Sequence, residues 1–125
     1  MFPIVTRNAP AAIGPYSQAI RHENLVFVSG QLPIDPKSGE MVSADHAEQC
    51  RQCLRNVAAV LEEAGASLDL VVKTTVMVTD LAQFAHINMA YAEFFKTNLP
   101  ARATYEVSAL PKGALVEIDA IAVCL

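Results

Sequence analysis

The stretch Leu99–Val123, LPARATYEVSALPKGALVEIDAIAV, decides how the end of this chain is folded. It reads as two strands, Ala103–Ala109 and Leu115–Val123, separated by the turn-forming run Leu110-Pro-Lys-Gly-Ala114. Arg102 stands at the mouth of the first strand, in a chain with only nine Lys and Arg. Glu117 sits inside the second. In a simple hairpin Glu117 would lie across from roughly Val107. Arg102 would then be five residues further along, or about 16 Å at the usual strand rise. A direct pair inside such a hairpin does not fit. Either another strand lies between the two groups, or they meet across copies of the chain, or they serve different ends of one ligand. The plainer alternative is a structural ion pair or two exposed charges.

Upstream, Tyr16–Arg21 and Leu25–Gly30 read as strands, and His22-Glu23-Asn24 suits the turn between them. Asp35-Pro-Lys-Ser-Gly39 is a turn cluster. Asp45, with Glu48 three residues on, looks like a helix N-cap. Apolar residues then recur at Cys50, Leu54, Val57, Leu61 and Ala64, one face of a helix that Gly65 stops. Leu70–Val78, rich in Val and Thr, reads as a strand. Asp80 with Gln83 is a second capping pair. Phe84, Ile87, Tyr91 and Phe94 repeat at helical spacing until Asn98-Leu-Pro100. The order is ββαβαββ, an α+β domain over residues 1–125, with two helices covering one face of one sheet.

The sheet's other face needs its own cover. By strand parity Arg102, Thr104, Glu106 and Ser108 share one side. So do Glu117 and Asp119, and so do Lys73, Thr75, Met77 and Thr79. The opposite parities, Tyr105-Val107-Ala109, Val116-Ile118-Ala120 and Val72-Thr74-Val76-Val78, suit the helices. The mixed sides then form a surface that is wet in a monomer or meets its copies in a ring.

Composition narrows the function. Hydrophobic residues make up 53% and charged residues 18%, and mean hydropathy is +0.31. No apolar run is long enough to span a bilayer, so the excess points to self-association. Net charge is −4, and no run of Lys or Arg marks a nucleic-acid surface. The N-terminus lacks the pattern of a signal peptide. Three cysteines do not make a disulfide framework. The expected setting is the cytoplasm.

Few residues advertise chemistry. Cys50 and Cys53 form a C-x-x-C in mid-helix, where core packing explains them better than redox or zinc binding; Cys124 reads as packing too. His22, His46 and His86 share no ligand spacing, so no metal site is expected. Gly30, in Ser29-Gly-Gln31, allows close backbone approach by a partner or ligand.

Taken together, AIGPYSQAI (12–20), VFVSGQLPIDPKSGE (26–40), the run from Asn56 to Phe95 and PARATYEVSALPKGALVEIDAIAV (100–123) resemble the Rid family of reactive-intermediate deaminases, also called YjgF or L-PSP, and within it the RidA branch. The resemblance spans Ala9–Val123. It implies a fold like that of Bacillus-type chorismate mutase, in which the last two strands are not neighbours. It also implies a homotrimeric barrel with ligand sites in the clefts between subunits. The implied activity is hydrolysis of 2-imino acids such as 2-iminobutanoate and 2-iminopropanoate to 2-keto acids and ammonia, without metal or cofactor. Arg102 matches the arginine that grips the substrate carboxylate, and Glu117 the glutamate that positions water. Tyr16, Ser29 and Asn88 match further positions around the cleft. Thr104 stands where many members carry cysteine; the family uses mainly the backbone N–H there. Rival readings are a non-catalytic binder of small carboxylates and, from the family's names, an endoribonuclease or translation inhibitor.

Overall fold

A computed structural model describes residues 1–125. The apolar stripe of the first helical segment winds into α1 (His46–Glu63). Asp45 precedes it in extended backbone, and its carboxylate accepts the Glu48 N–H at 3.0 Å, filling one of the donors a helix start leaves unpaired. At the far end Gly65 takes φ +84°. That left-handed turn lets the Ala66 N–H reach the Leu61 carbonyl at 2.8 Å and the Gly65 N–H reach Glu62 at 3.1 Å, a paired closure that a residue without Cβ makes cheap. Cys50, Leu54, Val57, Leu61 and Ala64 are all buried.

The second helix, α2 (Phe84–Ala92), is shorter than its apolar spacing predicts. It follows a one-turn 3-10 segment, Leu81–Gln83, capped by the Asp80 carboxylate on the Ala82 N–H at 3.0 Å. Phe94 and Phe95 lie beyond α2, and Phe95 tucks against the Tyr91 ring with centroids 4.8 Å apart.

The strands are β1 (Phe2–Ile4), β2 (Ala19–His22), β3 (Leu25–Gln31), β4 (Val71–Val78), β5 (Ala101–Glu106) and β6 (Val116–Val123). They form one sheet in the order β1-β2-β3-β6-β4-β5. Only β4 and β5 run parallel. β4 therefore lies between the last two strands, and the hairpin is excluded. The expected ββαβαββ order is present with one strand added. β1 pairs Phe2 with Arg21; three residues with a proline in the middle give too little alternation to read as a strand, and Pro3 is tolerated because β1 is an edge. β2 begins at Ala19 rather than Tyr16, whose segment bends before the sheet.

Both helices cover one face, where Val26, Val28, Val76, Val78, Val116, Ile118 and Ala120 meet the α1 stripe. Two face assignments made by parity are corrected. Val72 is 46% exposed and Val71 is buried, because the pairing with β6 slips between Val71 and Lys73. Arg102, Thr104 and Glu106 lie on the helix side, since they stand opposite Thr74, Val76 and Val78, all of which are buried. Tyr105 instead shares an open-face row with Met77 and Glu117. Parity separates the sides of a strand; only the register with its neighbour says which side faces the helices. β5 is an edge, and the nine-residue α2 leaves its helix side accessible, so charge is tolerated there. The open face carries Phe27, Met77, Tyr105 and Ile121 among Lys73, Thr75 and Asp119. No helix is long and apolar enough to cross a membrane.

Candidate active site

The expected site residues fall into two groups. The first gathers where β5 passes α2. Arg102 Nη1 donates to Asn88 Oδ1 at 2.8 Å. The guanidinium carbon lies 4.8 Å from the Tyr91 ring centroid and 5.3 Å from that of Phe84. Phe84, Asn88 and Tyr91 are spaced i, i+4, i+7 and so share one face of α2. The Tyr91 hydroxyl is tied to the buried Thr74 hydroxyl at 2.7 Å, and burial pushes its pKa up. Thr104 lies two residues beyond Arg102 on the same side, its Oγ1 buried without a hydrogen-bond partner. Donors alternate along a strand. The Val107 N–H bonds the Val78 carbonyl of β4 at 2.8 Å, so the Thr104 N–H points out of the free edge.

The second group lies at the other side of β4. Glu117, on β6, is half-buried, and burial first, then the neighbouring Asp119, raises its pKa. No cation pairs with it in the chain: the ion pairs are Arg51 with Glu48 and Glu93, and His86 with Asp45. Gly30 packs against it. A Cβ there would fall on Oε2 and within 2.9 Å of Cδ. The close approach that Gly30 permits is thus made by Glu117 of the same chain, not by a ligand. The register between β3 and β6 slips at this point, between Val28 and Gln31, a local irregularity of the kind that re-aims side chains.

Tyr16 reaches this neighbourhood from the loop before β2. It lines a cavity with Gln18, Gly30, Gln31, Leu32 and Lys112. Two bonds fasten that loop to β3: the Ser29 hydroxyl donates to the Ser17 carbonyl at 2.6 Å, and the Ser29 N–H donates to the Gln18 carbonyl at 2.9 Å. The buried Gln18 amide ties down the N-terminal segment, accepting from the Thr6 N–H at 2.8 Å and donating to the Pro10 carbonyl at 2.7 Å. Gln18, Phe84 and Tyr91 were not singled out as site residues by sequence, whereas Gly30 was marked there as a place of close approach. For the two rings the signal was present: they straddle Asn88 on one helix face.

Arg102 and Glu117 do not meet within one chain. β4 separates their strands, about 10 Å across at normal strand spacing, and they occupy opposite faces of the sheet. The other chemically suggestive residues do different work. Cys50, Cys53 and Cys124 are buried thiols, and burial pushes Cys50 up to about 12. His86 Nε2 sits 3.1 Å from Asp45 Oδ1, linking the starts of the two helices. No three or more His, Cys, Asp or Glu side chains converge as a metal site would need.

An α+β domain with this strand order and these exposed groups has close counterparts. The family model described as Endoribonuclease L-PSP matches residues 6–124. The chain belongs to this family, the Rid (YjgF/L-PSP) family. It is 60% identical over 119 residues to a RutC family protein of Sinorhizobium fredii, covering 95% of this chain and 94% of that one. It is 48% identical over 120 residues to human 2-iminobutanoate/2-iminopropanoate deaminase, covering 96% and 88%. Among solved structures, E. coli TdcF with bound serine superposes with a TM-score of 0.95 at 43% identity, covering 100% of both chains.

Proposed function

We propose that this protein hydrolyses small 2-imino acids to 2-keto acids and ammonia, in clefts formed between copies of the chain in a homotrimer. The observation that carries the reading is a pair of unmatched charges. Arg102 sits at an exposed edge without a carboxylate, and Glu117 sits half-buried without a cation. A 2-imino acid offers what each lacks: a carboxylate for the guanidinium, and a C=N carbon with an attacking water for the carboxyl group. Because one chain keeps the two apart, the cleft takes Arg102, Asn88 and the Thr104 N–H from one copy and Glu117, Tyr16 and Ser29 from the next. The apolar residues of the open face supply the contact between copies. The similarity to a named imino acid deaminase and to a protein with bound serine supports the substrate class.

The chemistry asks little of the catalyst. Arg102 takes the substrate carboxylate through paired N–H donors, which fixes orientation as well as charge. The imine carbon is already electrophilic. Glu117, as carboxylate, takes a proton from water as its oxygen bonds to that carbon. The resulting carbinolamine receives the proton on nitrogen. The C–N bond then breaks as the hydroxyl proton passes through Glu117 to the nitrogen, so that ammonia leaves and the carbonyl of the 2-keto acid forms. Water is the only co-reactant, so neither cofactor nor metal is called for. The expected setting is the cytoplasm, where pyridoxal-phosphate dehydratases release such enamines.

A coupled assay tests this reading. A dehydratase generates 2-aminoacrylate, and pyruvate or ammonia release is timed with wild type and Arg102→Ala. Faster release with wild type, lost in the variant, is expected; equal rates would refute the assignment. The family's ribonuclease description suggests a different test. A net charge of −4 argues against phosphate binding, whereas RNA affinity falling steeply with salt would argue for it.

A further inference from the structure

We propose that Phe84 and Tyr91 form an aromatic platform that positions the Arg102 guanidinium for anion capture. The inference rests on the reading of Arg102 as the substrate's carboxylate anchor and names what holds that anchor in place. Arg102 is on an exposed edge strand, and a long side chain there loses much freedom if it is to hold one geometry. Three contacts hold it, all from α2: the Asn88 Oδ1 at 2.8 Å, the Tyr91 ring at 4.8 Å and the Phe84 ring at 5.3 Å.

The chemistry of these partners is the point. A carboxylate partner would hold the guanidinium and cancel its charge together. Ring faces and an amide oxygen attract a cation while leaving its net charge in place. Asn88 uses one of five N–H donors, and Arg102 has no further hydrogen bond in the chain. The arginine is therefore held without being neutralised, and its remaining donors are free for an incoming carboxylate.

The platform is itself braced from below. The Tyr91 hydroxyl is fixed by Thr74 at 2.7 Å, and Thr74 is fully buried on β4, the interior strand beside β5. The Tyr91 ring leans on Phe95, itself buried. A displacement of α2 relative to the sheet would thus move the arginine with it. Phe84 and Tyr91 act through Arg102, so they are positioning residues.

The test uses the whole protein and a stable 2-keto acid, 2-oxobutanoate, as the probe. Nitrogen relaxation at Arg102 Nε reports the order of the guanidinium without any ligand. Calorimetry reports affinity for the probe. Phe84→Leu and Tyr91→Leu remove the ring faces; Tyr91→Phe keeps the ring and drops the hydroxyl. In the two leucine variants the Arg102 order parameter is expected to fall and the dissociation constant to rise about tenfold, with Tyr91→Phe within about threefold of wild type on the same scale. Tyr91 is buried and its leucine variant is the more exposed to misfolding, so Phe84→Leu carries the test if Tyr91→Leu does not fold. Unchanged guanidinium order and unchanged affinity in a folded leucine variant would overturn the platform. Neither measurement needs turnover: loss of imine hydrolysis chemistry alone would sink the deaminase reading and leave the platform standing.

Discussion

Arg102 and Glu117 are supported in opposite ways. Around Arg102 the chain supplies contacts: two rings, an amide oxygen, and a buried hydroxyl pair bracing one of the rings. Around Glu117 it supplies space and partial burial. Gly30 withholds a side chain so that the carboxyl group fits, and burial beside Asp119 makes its ionised form costlier. A group meant to bind an anion gains from rigidity with its charge intact. One meant to move a proton gains from a pKa lifted towards the working pH. The difference is what the proposed function asks for, with binding at the β5 edge and proton transfer at the β3–β6 end.

The largest expected effect breaks the binding side. Arg102→Ala should lower kcat/KM about a thousandfold, since two charge-assisted hydrogen bonds to the carboxylate are lost. Arg102→Lys keeps the charge but not the planar fork, and should fall between the two. If Arg102→Ala instead lowers kcat and leaves 2-oxobutanoate affinity intact, the roles are reversed.

Breaking the proton-transfer side should look different. Glu117→Gln is nearly isosteric, so 2-oxobutanoate should bind within about twofold of wild type while kcat drops about a hundredfold. Binding retained with no loss of turnover would favour a receptor for small carboxylates over an enzyme. A smaller effect, about tenfold on kcat, is expected from Gly30→Ala, because the added methyl displaces the Glu117 carboxyl group without removing it. A crystal structure of that variant would show the displaced side chain. The pH profile sharpens the comparison further. A general base must be ionised, so kcat/KM should decline as pH falls through the Glu117 pKa, with the midpoint above that of an ordinary glutamate. That limb should vanish in Glu117→Gln and persist in Phe84→Leu.

These two ends were unequally legible in the sequence. The α1 stripe, its Asp45 cap and its Gly65 stop are local signals, and each appears where its chemistry puts it. The separation of the last two strands followed only as one of three options from the Arg102–Glu117 offset, and from the family resemblance. Which face Arg102 occupies was not legible at all. It depends on a parallel register between β4 and β5, strands joined through a helix, and no turn fixes that register locally. The slip at Val71–Lys73 was hidden for the same reason: a run of valines and threonines alternates equally well in either phase. Gly30 was visible as a place of close approach, but the approaching group came from β6, some 87 positions along the chain.

The smallest effect concerns stability and reads Glu117 without any substrate. Its pKa is higher in the folded chain than in the unfolded one. Folding is therefore favoured when the group is protonated, and that contribution is present below the unfolded value and lost as pH rises through the folded value. At neutral pH the folded chain carries a carboxylate that burial disfavours. Glu117→Gln should then melt slightly higher than wild type near pH 7, with the gap closing as pH falls below the ordinary glutamate range. Melting must be compared at one protein concentration, because association between copies would itself raise Tm. A glutamine variant that melts lower than wild type at neutral pH would mean that Glu117 finds a cation or a donor in the assembled protein, and the contrast between a supported arginine and an unsupported glutamate would no longer hold.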